Sequence, residues 1–345
     1  MSIKFKDYCV ADNEPVCFVG EVGAFFNKDI DLACEYLDMA LEAGVDVFKT
    51  EILHSPDVVL SSSGGIVKYN TSRGVVEEDY RAFIERKTVS LSQYEILFDH
   101  GLKSGARIMA TVFDNDGIDF LKNNGAVGIK ISRNNIHHEP LIRYAAKSGL
   151  PIVFDLGDVP LWKAQRAQKW VHEEDGNVMF NHHPVNNPAS PSDHNLSLIV
   201  KLKEIFKTPI GLSCHYDGDE ILYAAIGAGV NLIEKGIDVD PDREEADLVS
   251  AASFNDLEKI VRKCKVCSEA IGEPQMNVKE ERLDGVRTGL AAKTNLNAGD
   301  TLAVGNVIYS WPPKGISPEH WEIVSGRRLQ RQVKKGHPIT WDDVL

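Results

Sequence analysis

Short apolar runs in this sequence end, again and again, on charged or polar residues. Glu21 follows CFVG, Lys49 and Glu51 close VDVFKTE, and Thr111 with Asp114 follow ARIMA. Lys130 and Ser132 close VGIKIS, Asp155 and Asp158 follow PIVF, and His182 with His183 follow VMFN. Ser213 and His215 end PIGLSCH, and Glu234 with Lys235 follow VNLI. Ammonium groups beside a hydroxyl make an anion site, so Lys49, Lys130 and Lys235 with Ser213 point to a phosphate or carboxylate ligand. Glu21, Glu51 and Glu234 can act as acid or base, or hold the hydroxyls of a sugar. His215 offers a neutral ring nitrogen to a metal, or a hydrogen bond within the core. Adjacent strand residues face opposite ways, so at most one of His182 and His183 faces the interior. A strand-end lysine also suits a Schiff base, which makes Lys130 or Lys49 the amine of an aldolase or lyase in a rival reading.

The elements that must carry these groups are strands and helices in alternation. The apolar runs predict strands at 17–23, 45–51, 106–113, 127–132, 151–156, 178–183, 209–213 and 230–235. Between most of them lies a segment of helical periodicity, such as IDLACEYLDMALEAG and SDHNLSLIVKLKEIF. Several helices close on a Gly-containing turn directly before the next strand, as in EAG before VDVF and GAG before VNLI. That is the connection of a parallel sheet. Eight such units predict a (β/α)8 TIM barrel, in which reacting groups collect at the carboxyl ends of the strands. No GxGxxG follows the first strand, which weighs against a dinucleotide-binding sheet. The irregular stretch 55–88 predicts a partly helical lid over the second strand.

The expected boundaries are a barrel over 1–273, a polar linker over 274–285 and a compact β-rich module over 286–345. The chain has 345 residues and a formal charge of −13. With a pI near 5.3 it lacks the clustered basic surface of a nucleic-acid binder. No apolar run approaches the roughly 20 residues of a membrane span. Residues 1–15 lack the apolar stretch of a signal peptide, so the expected location is cytoplasmic. Cys264 and Cys267 form a CxxC in a helical stretch, but no second pair follows to complete a zinc site, so reduced thiols are expected.

Five stretches resemble the sialic acid (N-acetylneuraminate) synthase family, and the resemblance covers almost the whole chain. They are GEVGAFFNKDIDLACEYLDMALEAGVDVFKTE, VGIKISRNNIHHEPLIRYAAKSGLPIVF, NNPASPSDHNLSLIVKLKEIF, PIGLSCHYDGDEILYAAIGAGVNLIEKGI, and LAAKTNLNAGDTLAVGNV with GRRLQRQVKKGHPITWDDV. The resemblance implies a barrel followed by an antifreeze-like (SAF) domain. It implies condensation of phosphoenolpyruvate with the aldehyde of an N-acyl hexosamine, with release of phosphate, and a manganese or magnesium ion that polarises the aldehyde. Lys49 and Lys130 match the family's phosphoenolpyruvate lysines, Ser213 a serine on the same substrate, and His215 the first metal histidine. Glu21 matches the acid of AEIG, and Glu234 and Lys235 match the first two letters of EKH. The SAF domain implies a homodimer in which each such domain closes the partner's barrel, with Lys314, Arg327 and Arg328 as candidates to reach across.

Several positions depart from the family pattern. Gly236 stands where the second metal histidine belongs, so His183, Glu234 or Asp155 would have to replace it. Phe25, Phe26 and Asn27 replace N-H-N, Glu51 replaces a glutamine, and Asn187-Pro188 replaces Tyr-Pro. Asp155 replaces a phosphate-side serine, Arg133 falls at another serine with Ser132 beside it, and Trp311-Pro312 replaces Arg-Pro. The expected enzyme is therefore a divergent synthase acting on phosphoenolpyruvate and a sugar aldehyde. The expected site comprises Glu21, Lys49, Glu51, Lys130, Ser132, Arg133, Asp155, Ser213, His215, Glu234 and Lys235. A non-catalytic member that binds a sugar or a partner protein, and the lysine-dependent aldolase or lyase, are the alternatives.

Overall fold

The computed structural model describes residues 2–62, 64–272 and 288–345, and the chain divides into two compact units, Met1–Glu273 and Pro274–Leu345. The linker expected at 274–285 lies outside the described residues.

In the first unit a hairpin of β1 (Ser2–Phe5) and β2 (Tyr8–Ala11) precedes the barrel. The barrel strands are β3 (Cys17–Gly23), β4 (Val47–Glu51), β7 (Ile108–Thr111), β8 (Gly128–Ile131), β9 (Ile152–Asp155), β10 (Val178–His182), β11 (Ile210–Cys214) and β12 (Leu232–Asp238). All eight run parallel in chain order, and pairing of β12 with β3 closes the ring. The fold is thus the TIM barrel expected from the alternation of elements, with helices outside: α1 (Ile30–Glu42), α3 (Leu91–Lys103), α4 (Asn115–Asn123), α5 (Glu139–Lys147), α6 (Leu161–His172), α7 (Leu198–Phe206), α8 (Glu220–Gly227) and α9 (Phe254–Ile271). Local chemistry starts these helices: Asp29 accepts the Leu32 amide at 3.0 Å, and Asp114 accepts that of Gly117 at 2.8 Å. Asp114, at the end of a predicted strand, is thus a helix cap that also meets His54 at 2.9 Å.

Alternation along the strands sorts the side chains. Ile129, Ile131, Phe154, Phe180 and Leu212 point outward into the layer under the helices. Val19, Val47, Met109, Val153, Met179 and Leu232 point inward and form an apolar floor. The β1–β2 hairpin packs Ile3, Phe5 and Val10 against that floor. The polar groups lie one strand step above it.

The stretch expected as a lid holds a hairpin, β5 (Ile66–Thr71) with β6 (Gly74–Asp79), and helix α2 (Tyr80–Glu85). The hairpin leans across the barrel mouth. Asn70 donates to the Asn187 carbonyl at 2.6 Å and Ser72 to the Asp242 carbonyl at 3.0 Å, in the loops after β10 and β12. Beneath it Leu53, Val59, Phe83, Ile84 and Ala246 form a separate apolar cluster with Phe25 and Phe113 beside it. Among the described residues no helix is long and apolar enough to cross a membrane.

The second unit pairs Gly289–Ala292 antiparallel with Val307–Ser310 and closes over Leu290, Leu302, Val307, Ile316, Leu329 and Ile339.

Candidate functional site

The inward residues above the apolar floor form one connected buried network. Lys49 contacts Glu21 directly and lies 3.5 Å from Glu234. Lys130 contacts Glu234 directly, reaches Asp155 at 2.9 Å and donates to Ser213 Oγ at 3.1 Å. Ser213 in turn donates to Asp155 at 3.0 Å. Lys49 and Lys130 are 1% and 3% exposed, and burial of such charges is tolerable only because each is paired.

Three carboxylates therefore surround two ammoniums. Burial works against charge on both lysines, but the carboxylates outweigh it: Glu21 and Glu234 hold Lys49 up, and Asp155 and Glu234 hold Lys130 well above its usual range. Burial would raise Glu234, yet Lys130 and Lys49 hold it ionised. Glu21 is pushed above the ordinary carboxylate range by burial, against the pull of Lys49, with the Glu234 charge adding to the rise. Between Glu21 and Glu234, a proton is favoured on Glu21.

Asn181 was not singled out from the sequence. It is fully buried and donates to Ser213 at 3.2 Å and to Glu234 at 3.3 Å, bridging across the lumen. A side chain on the neighbouring Gly211 would collide with its Oδ1, so glycine there makes room for the bridge. The signal was available, because Asn181 lies two residues before His183 and shares its face. Lys87 was missed as well. It is buried, 2.8 Å from Glu245, with its ammonium 4.4 Å from the centre of the Phe25 ring and 4.6 Å from that of Phe83.

His183 and His215 stand above Asp155 and Ser213 at the ends of β10 and β11. Their ring centres are 4.6 Å apart with planes at 76°, and Nδ1 of each is enclosed without a hydrogen-bond partner. Burial pushes the His183 pKa down to about 4 and lowers that of His215, so both are neutral at neutral pH. Glu51, at the end of β4, is raised by burial, with Lys49 opposing.

Other candidates lie elsewhere. Lys235 points outward, where its ammonium donates to the Tyr216 carbonyl at 2.5 Å and the Gly218 carbonyl at 3.2 Å. It follows inward-facing Glu234 on the same strand and so must face the helices, which removes it from the expected anion site. His182 likewise turns outward, to the His194 carbonyl at 2.5 Å. Arg133 sits at the rim, paired with Asp158 at 3.1 Å, and Ser132 precedes it at the start of a 3₁₀ turn. Neither is hydrogen-bonded into the lysine–carboxylate network. In the C-terminal unit Arg327 binds the Ile323 carbonyl at 2.8 Å and that of Leu345 at 3.1 Å.

Among the described residues no group of three or more His, Cys, Asp and Glu side chains is placed to hold an ion. Nδ1 of His183 and Nδ1 of His215 are unpartnered nitrogen donors at the mouth, and these are the residues that would hold an ion there.

Fold and site together define a (β/α)8 barrel with a buried lysine–carboxylate network at the carboxyl ends of its strands, followed by a small β module. The NeuB family profile matches residues 36–276 and the SAF domain profile residues 287–345. The chain belongs to the NeuB family. It is 26% identical over 350 residues to an uncharacterized protein of Methanocaldococcus jannaschii, covering 99% of this chain and 98% of that one. It is 24% identical to N,N'-diacetyllegionaminic acid synthase of Legionella pneumophila, covering 95% of this chain and 94% of that one. The solved N-acetylneuraminic acid (sialic acid) synthetase of Leptospira borgpetersenii, in complex with citrate, superposes with a TM-score of 0.73 at 22% identity, over 83% of this chain and 95% of that one.

Proposed function

We propose that this protein is a divergent nonulosonate-type synthase that condenses phosphoenolpyruvate with a sugar aldehyde to give a 2-keto-3-deoxy sugar acid and phosphate. The observation that carries the reading is the joint burial of Lys49 and Lys130 around Glu234, with the Ser213 hydroxyl on Lys130. Two fixed ammoniums and a hydroxyl donor suit an anionic enolpyruvate. Glu21, whose pKa is raised and which contacts Lys49 directly, is the proton donor or acceptor of choice beside them. His183, His215 and Glu51 lie nearer the mouth, where the aldehyde would enter. A divalent ion on the histidines would polarise the aldehyde oxygen when bound.

The aldolase reading fits less well. A Schiff base requires a neutral amine, and carboxylates hold both lysines protonated. A non-catalytic sugar-binding role has one observation in its favour: Asp155 already occupies Lys130 and Ser213, the donors an anion would need. For the SAF domain we infer the family arrangement, a homodimer with each domain over the partner's mouth and Lys314 and Arg328 as exposed basic groups for that contact.

The test is phosphate release from phosphoenolpyruvate by purified protein, with and without manganese, over a panel of N-acylated and plain aldoses. Release that depends on one sugar supports condensation and identifies that sugar. Binding of a sugar with no release under any metal supports the binding role.

A further inference from the structure

We propose that His183 and His215 together form a two-histidine site for a divalent cation, His183 supplying the ligand that Gly236 cannot. The inference rests on reading this mouth as a synthase site, but its evidence is local. The other two candidates are already engaged. Glu234 is taken by Lys130, Lys49 and Asn181, and Asp155 by Lys130 and Ser213. His183 has no hydrogen-bond partner among the described residues, and although the two rings pack edge to face, Nδ1 of each is enclosed and unsatisfied. Such groups are uncommon in a folded interior, and here the two fall on adjacent rings, where one bound ion would satisfy both.

The spacing also fits. Two imidazoles on one ion at about 2.1 Å, with their bonds roughly perpendicular, place their ring centres about 4.5 Å apart. The centres of His183 and His215 are 4.6 Å apart, with planes at 76°. Position 236 lies on the inward face of β12, where a Cβ would meet Ala251 only at ordinary contact distance, 3.6 Å. The backbone there thus has room for a Cβ. The site has thus moved from the β11–β12 pair, where the family resemblance puts it, to β10 and β11.

The full chain is titrated with Mn2+ and binding is read from loss of the free-ion electron paramagnetic resonance signal, with no substrate present. One ion per chain is expected. His183→Ala and His215→Ala should each weaken binding at least tenfold, and Gly236→His added to His183→Ala should restore most of it. Equal binding by His183→Ala overturns the proposal, as does absence of uptake by the unmodified chain at millimolar Mn2+. Weakening that Gly236→His does not repair, with a lowered unfolding midpoint, would mark His183 as structural and also overturn it. Because the readout needs no turnover, normal ion binding beside a failed condensation assay would sink the synthase reading alone.

Discussion

Lys130 and Asp155, on neighbouring strands β8 and β9, meet at 2.9 Å, and the carboxylate that neutralises the lysine also captures the Ser213 hydroxyl. An anionic ligand entering this corner has to displace a built-in anion. Replacing Asp155 by serine keeps a hydrogen-bonding group and removes the negative charge paired with Lys130. Asp155→Ser should bind phosphoenolpyruvate about tenfold more tightly, roughly 1.4 kcal/mol. Isothermal titration would show it. Unchanged or weaker binding would mean that the anion does not seat on Lys130.

Lys130→Ala would leave Glu234 and Asp155 buried without their main counter-charge. Breaking a buried pair in this way costs about 3–5 kcal/mol. Urea unfolding should report a loss of that size, and phosphate release should fall by at least a hundredfold. Turnover at the level of the unmodified protein would exclude Lys130 from the chemistry.

Acid should destabilise the fold through the mouth histidines. Burial sets the folded pKa of His183 at about 4, against 6.5 for the free side chain. Between those values the unfolded chain binds a proton that the folded chain does not, so this stability is full above 6.5 and is lost as pH falls toward 4. His182, His194 and His215 are shifted the same way. Urea midpoints measured from about pH 7 to about pH 4.5 should fall, and fall less steeply in His183→Asn. Parallel curves for the two proteins would refute the assignment.

Gly211→Ala tests the bridge across the lumen. Its new methyl group would press on Asn181 Oδ1 and force that side chain off Ser213 and Glu234. A destabilisation of about 1–3 kcal/mol is expected, as for other overpacked sites. Asn181→Ala in the Gly211→Ala background should relieve the clash, which a thermal melt would register as non-additivity.

Much of this was readable in the sequence. Each of the eight predicted strands overlaps an observed one, because apolar runs bounded by glycine turns have few other uses in a parallel fold. The period of two, applied to His182 and His183, would equally have separated Glu234 from Lys235. The hairpin Ser2–Ala11 escaped notice because two four-residue strands carry only Ile3, Phe5 and Val10 as a signal. Partners across the barrel were out of reach for another reason. Lys130 and Glu234 are 104 positions apart, and only ring closure and register bring them together.

The floor that Ile3, Phe5 and Val10 seal closes one end of the barrel, and the hairpin strapped to Asn187 and Asp242 leans over the other, so a ligand for the network has to come and go from the mouth side. In the proposed reaction that shape dictates sequence. The enolpyruvate, whose donors lie deepest, has to descend first, and a sugar arriving early would cork the shaft behind it. Traffic through that mouth is first in, last out, so excess aldehyde should slow the enzyme by queueing in front of an empty floor.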